Sequence, residues 1–331
     1  MKDDELKSIY KDPSLRREAV RRSHFWFFHV FFPHYIEYET TLFQKEMFLI
    51  TEDQKNKLAV VMAFRGSGKS TIMNLSYALW SILGIQQKKF VLIVSKTQTQ
   101  SKMHFLNIRR ELENNKLLLG DLGPFEVDDS AWGMSSLVLS QMDAKITAVS
   151  REQGIRGLRY GMHRPDLIIC DDIEDSVSIS SQENRDSIYQ WFMSEVIPAG
   201  NEKTKIIVLG NLLHADSLLM RLRKNILEKR TNGVFRAYPL LDDDNQILWP
   251  ERYPNMAEIE KLKQGIPDGL VWEKEYLLKY ESESLIVLNE ENDKNESSLQ
   301  ILGDYKISVP RSSFYSLCAL IEKLDKENRE R

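Results

Sequence analysis

An apolar run, Leu58-Ala59-Val60-Val61-Met62, opens directly into Ala63-Phe64-Arg65-Gly66-Ser67-Gly68-Lys69-Ser70-Thr71, and beyond it Ile72, Leu75, Leu79, Ile82 and Leu83 recur at helical spacing. A buried strand, a glycine-rich turn and an amphipathic helix in that order constrain the fold more than any other stretch of the chain. Backbone N–H groups of Gly66, Ser67 and Gly68, with the positive end of the helix dipole behind them, can surround a polyphosphate. Lys69 would reach the terminal phosphates and Ser70 would hold Mg²⁺, with Arg65 and Thr71 inside the same loop. The pattern G-x-x-x-x-G-K-[ST] is broken once, where Ala63 takes the place of the first glycine. The blander reading is a glycine-rich turn with an incidental lysine.

The remainder of the chain supplies what such a loop needs. Lys89 to Ser95 reads as a second buried strand and Thr97 to Asn114 as a second helix, an alternation that argues for a parallel sheet covered on both faces. Ser136 to Val149 reads as a hairpin turning near Asp143. A third buried strand, Asp166-Leu167-Ile168-Ile169-Cys170, ends in Asp171-Asp172-Ile173-Glu174-Asp175. At the carboxyl end of a parallel strand the first acid can hold Mg²⁺ and the next can orient or deprotonate water. Asp172 is favoured for that second role; Glu174, one methylene longer but two residues further on, is its competitor. A helix from Glu183 to Val196 follows, and then a fourth strand, Lys205 to Asn211, whose polar Gly210-Asn211 tip either senses the γ-phosphate or is a plain turn. Upstream, Gln44 offers an amide able to pair with an adenine edge.

Composition adds limits. The 331 residues carry a formal charge of -4, so contact with nucleic acid would depend on local basic patches. The two cysteines, Cys170 and Cys318, suggest neither a disulfide framework nor a metal knot, which suits a reducing cytosol. The aromatic run Phe25 to Phe32 is interrupted by His29 and is too short for a bilayer, which needs about twenty apolar residues. No membrane attachment or secretory signal is expected. Arg16, Arg17, Arg21 and Arg22 ahead of that run read as a solvated face.

Taken in order, these motifs resemble the ATPase half of the large terminase subunit of tailed bacteriophages, the motor that packages DNA into procapsids. The resemblance spans about residues 20 to 280. It is carried by the Arg-bearing loop from Phe64 to Ser70, Ser95 to Gln100, Gly154-Ile155-Arg156-Gly157, Asp171-Asp172 and Leu209-Gly210-Asn211, with Trp249-Pro250-Glu251 and Trp272 to Tyr276 further on. It implies that Gln44 contacts adenine, that Asn211 lies in the motif coupling phosphate loss to movement, and that Arg156 is the arginine inserted by a neighbouring subunit. Arg159 and Arg65 are alternatives for that last role. Expected partners are ATP, Mg²⁺, duplex DNA, a portal protein and a small terminase subunit, with a ring homo-oligomer when docked, in the cytoplasm of a bacterial host.

The expected architecture is α/β: a doubly wound, mainly parallel sheet of P-loop NTPase type with an N-terminal helical segment. Residues 1–40 form that segment, 41–230 the ATPase core, 231–285 a small appended region, and 286–331 a polar linker with a possible short helix from Ser312 to Glu327. The stretch after Tyr280 is too short for an RNase H-like nuclease, which would need on the order of a hundred residues, so no nuclease activity is expected from this chain. Asp242-Asp243-Asp244 reads as a turn and not as a metal site. The expected function is an ATP-hydrolysing packaging motor; a helicase-like ATPase and a truncated, non-catalytic remnant are the alternatives.

Overall fold

Side chains along the central strands alternate between two apolar layers, as a sheet buried on both faces requires. On the first strand Ala59, Val61 and Ala63 join one core while Leu58, Val60 and Met62 join the other; Val91 and Ile93 oppose Leu92 and Val94 in the same way, and Leu167 and Ile169 oppose Ile168 and Cys170. The computed structural model describes residues 11–125, 135–266 and 268–280 and the backbone of 283–284. The expected tail helix from Ser312 to Glu327 lies outside them.

The elements run in the order α1 (Pro13–Arg22), α2 (His24–Phe31), α3 (Leu42–Glu52), β1 (Leu58–Ala63), a π-helical turn (Thr71–Ser76) continuing into α4 (Tyr77–Leu83), β2 (Phe90–Ser95), α5 (Gln98–Asn114) and α6 (Lys116–Leu122). Next come β3 (Ser136–Leu139), β4 (Ala144–Ser150), β5 (Leu167–Asp171), α7 (Gln182–Trp191), β6 (Lys205–Gly210), α8 (Leu218–Leu227), β7 (Val234–Tyr238), α9 (Met256–Gln264) and α10 (Gly269–Glu275). The seven-stranded sheet has the order β3-β4-β2-β5-β6-β1-β7, parallel throughout except for β3 against β4.

The fold is therefore the expected α/β type with a mainly parallel sheet. The hairpin turns at Asp143, which adopts a left-handed φ of 45°, but β4 also pairs in parallel with β2 and so belongs to the main sheet. Strand β6 lies between β1 and β5, which sets its carboxyl end between the glycine-rich loop and the acids.

The N-terminal aromatic run is a core element. Phe27, Phe28, Phe31 and Phe32 pack into the same layer as α3 and α4. His24 sits fully buried between Thr51 Oγ1 (2.6 Å from Nδ1) and Ser76 Oγ (2.9 Å from Nε2), and burial holds its imidazole well below the usual range. Among the four arginines expected to be solvated, Arg16 is buried against Asp121, whereas Arg17, Arg21 and Arg22 are exposed. At the amino end of β6, Lys205 is fully buried and donates to the carbonyls of Ile50 (2.5 Å) and Asp53 at the end of α3. Those carbonyls have no partner within the helix, so an ammonium there satisfies them. Among the described residues no helix is long and apolar enough to cross a membrane.

Candidate functional site

Gly66 and Gly68 take φ values of 82° and 85°, a region that costs side chains with a Cβ and lets the chain curl back over the start of the helix. The curl is anchored at both sides: Phe64 N–H donates to Tyr238 O at 2.9 Å, Arg65 N–H to Glu275 O at 2.8 Å, and Gln44 Nε2 to Ser67 O at 2.9 Å. Gln44 Oε1 also accepts from Thr41 N–H in a capping box, so both ends of this amide are engaged beside the loop. Ser67 Oγ is buried without a hydrogen-bond partner.

Lys69 follows the curl and is buried. Its Nζ donates to Asn211 Oδ1 at 2.7 Å and lies 3.8 Å from Asp172 Oδ1. Ser70 Oγ donates to Asp171 Oδ1 at 3.2 Å, and Asn74, one helical turn on, donates to Asp171 Oδ2 at 2.9 Å. His104 Nε2, from α5, stands 3.7 Å from the same oxygen. Asp172 turns off the end of β5 with a left-handed φ of 47°, which swings its half-exposed side chain toward Lys69. Poor solvation pushes its carboxyl above the ordinary value, with Lys69 pulling the other way.

The structure thus gathers Lys69, Ser70, Asp171, Asp172 and Asn211 at the carboxyl ends of three neighbouring strands. It sets three other candidates apart, Glu174, Arg156 and Arg159. Glu174 is buried, with Oε1 accepting from Leu218 N–H at 2.9 Å at the start of α8 and Oε2 lacking a partner. Burial pushes its carboxyl up to about 7. Arg156 is exposed in the loop between β4 and β5 and makes no ion pair among the described residues, and Arg159 is exposed beside it. Arg65 points to Glu275, with Nη1 2.6 Å from Oε2.

Several residues in the site have no sequence signal that singled them out. Asn74 is recognisable afterwards from its i+4 spacing to Ser70. His104 and Glu275 arrive from distant segments. Arg252, three residues past Trp249, donates to Gly66 O at 2.9 Å. A cavity of about 140 Å³ opens beside the loop, bordered by Tyr35, Tyr38, Gln44, Thr71, Trp249 and Arg252.

The donor set suits Mg²⁺. Asp171 and Ser70 offer hard oxygens, and magnesium usually takes one or two protein oxygens together with substrate phosphates and water. Among the described residues no group of three or more His, Cys, Asp or Glu side chains is arranged to hold a metal by itself.

No protein-family model matches the chain, and no curated protein does. Among solved structures it is similar to large-terminase ATPase domains of bacteriophages. The large terminase of bacteriophage HK97 superposes with a TM-score of 0.49 and 16% identity over 72% of this chain and 50% of that one. An ATPase-domain mutant of the Thermus phage P74-26 large terminase gives 0.49 and 12% over 77% and 98%. The large terminase of a thermophilic bacteriophage, in complex with ADP, gives 0.48 and 10% over 73% and 53%. The chain spans about half the length of the HK97 protein and of this ADP-bound terminase.

Proposed function

We propose that this chain is an ATP-hydrolysing motor that drives duplex DNA into a viral procapsid. The observation that carries the ATPase reading is the convergence of Lys69, Ser70, Asp171, Asp172 and Asn211 at the carboxyl ends of β1, β5 and β6. The packaging role is supported by the order of the motifs along the chain, which resembles that of large terminases. In this reading the loop amides and Lys69 bind the phosphates, Ser70 and Asp171 hold magnesium, and Asp172 orients the attacking water. Magnesium, when bound, neutralises charge on the phosphate oxygens. Asn211 exchanges its bond to Lys69 when phosphate arrives. Arg156 acts on a neighbouring subunit in a ring, a role compatible with its exposure and lack of an ion-pair partner among the described residues; Arg159 is the alternate.

The test is ATP turnover by the purified full chain, with and without duplex DNA and portal protein. Turnover stimulated by duplex DNA and lost in Lys69→Ala supports the reading. Turnover unchanged by Lys69→Ala removes the site assignment, and strand separation in place of duplex translocation assigns the core to a helicase-like enzyme.

A further inference from the structure

The aromatic cluster beside the loop holds a cation that the phosphate chemistry does not use. Arg252 Cζ lies 5.6 Å from the ring centre of Tyr38, 5.2 Å from that of Trp249 and 5.3 Å from that of Tyr253. Its Nη1 is bonded to Gly66 O, and it makes no ion pair among the described residues. A guanidinium packed among aromatic rings, held at one corner by a carbonyl and bordering a cavity, is a planar cation within reach of whatever enters. The same cavity is bordered by Gln44, whose amide retains one N–H and one lone pair beyond its bonds to Ser67 and Thr41. Thr71, at the start of the helix that follows the loop, joins this cavity to the phosphate cradle. Flat cationic surface, amide edge and adjoining phosphate site match the face and edge of a purine base and the phosphates beyond it.

We propose that Arg252 is a base-binding residue: its guanidinium is the platform on which a purine ring stacks, with the ring edge turned toward Gln44. This rests on the nucleotide-binding reading of the loop, and it assigns to the segment after β7 a direct part in holding the base. The bond to Gly66 makes the platform continuous with the loop, so an occupied base site also steadies the phosphate cradle. A stacked base contributes a factor of about five to a hundred in affinity in systems where it has been removed by substitution.

The experiment is calorimetric titration of the full chain, as wild type, Arg252→Ala and Arg252→Lys, with ADP, UDP and inorganic tripolyphosphate. The expected result is that Arg252→Ala weakens ADP about ten-fold, narrows a wild-type preference for ADP over UDP, and weakens tripolyphosphate by no more than about two-fold, the share that comes from the arginine's charge and its bond to Gly66. Arg252→Lys should behave like the alanine variant, since an ammonium keeps the charge without the planar face. Retained tripolyphosphate binding also reports that the loop of each variant is folded. Equal weakening of ADP and tripolyphosphate, full rescue by lysine, or unaltered ADP affinity overturns the proposal while leaving the phosphate site intact. A wild-type chain that binds neither ADP nor tripolyphosphate overturns the nucleotide reading itself, and this inference with it.

Discussion

Replacing Glu174 by Gln separates a structural carboxylate from a catalytic one. The Glu174 carboxyl is buried, accepts one bond from Leu218 N–H at 2.9 Å and leaves Oε2 without a partner. Burial raises it from 4.5 to about 7, so the folded chain binds more protons here than the unfolded chain between those values. Stability from this group is therefore undiminished below pH 4.5 and declines as pH rises toward 7, a loss on the order of 3 kcal/mol by pH 8. Glutamine keeps the carbonyl that accepts from Leu218 and removes the buried charge, but its new N–H donors are unsatisfied, a cost of about 1–2 kcal/mol. The variant should then be about 1–2 kcal/mol more stable than wild type at pH 8 and less stable than wild type at pH 4.5. Urea unfolding across that range measures it. The quantity to follow is the difference between the two proteins, because buried His24, held neutral, contributes with opposite sign and loses stability as pH falls below about 6.5. A difference that does not change with pH refutes the argument from burial. ATP turnover measured on the same samples decides the chemistry, since a helix cap tolerates the amide and a general base does not.

Other substitutions follow from the same geometry. Asp172→Asn should retain ATP binding and lose turnover by at least about a hundred-fold in a coupled-phosphate assay, the usual scale for removing a positioned acid or base; retained turnover returns the role to Glu174. Ser70→Ala should make ATP affinity less sensitive to chelation of Mg²⁺ than in wild type, read by titration with and without EDTA. Lys205→Met should destabilise the fold by about 2–4 kcal/mol in urea, because the carbonyls of Ile50 and Asp53 lose their donor in a buried position. Asn211→Ala should leave phosphate binding within a few-fold of wild type while reducing any stimulation of turnover by DNA.

What was legible in the sequence was what is written locally. Leu58 to Ser70 and Asp166 to Asp172 each join a continuous apolar run to polar groups within a few residues, so strand, loop and acids could be read without knowing their neighbours. Strand order could not. That β6 lies between β1 and β5 depends on pairing across about 150 residues, and only the structure places Asn211 on Lys69. β7 escaped because Val234-Phe235-Arg236-Ala237-Tyr238 is short, carries an arginine and lies at the sheet edge. Glu174 looked like a free acid because the N–H that it caps belongs to Leu218, on a helix distant in sequence. Arg252 and His104 carry no local pattern; each matters through the segment it meets.

The placement of Lys205 has a mechanical consequence. From the loop, Gln44 leads into α3, the end of α3 is clasped by Lys205, β6 runs from Lys205 to Gly210, and Asn211, the next residue, returns to Lys69 in the loop. These members form a closed truss. The joints at Gln44 and Lys205 grip backbone carbonyls, and the joint between Lys69 and Asn211 is the one made of two side chains. That joint is therefore the one a change of side-chain partner can open while the backbone joints hold, because β6 stays paired along its length with β1, and the residues from Asn211 to Ser217 lie between it and the start of α8.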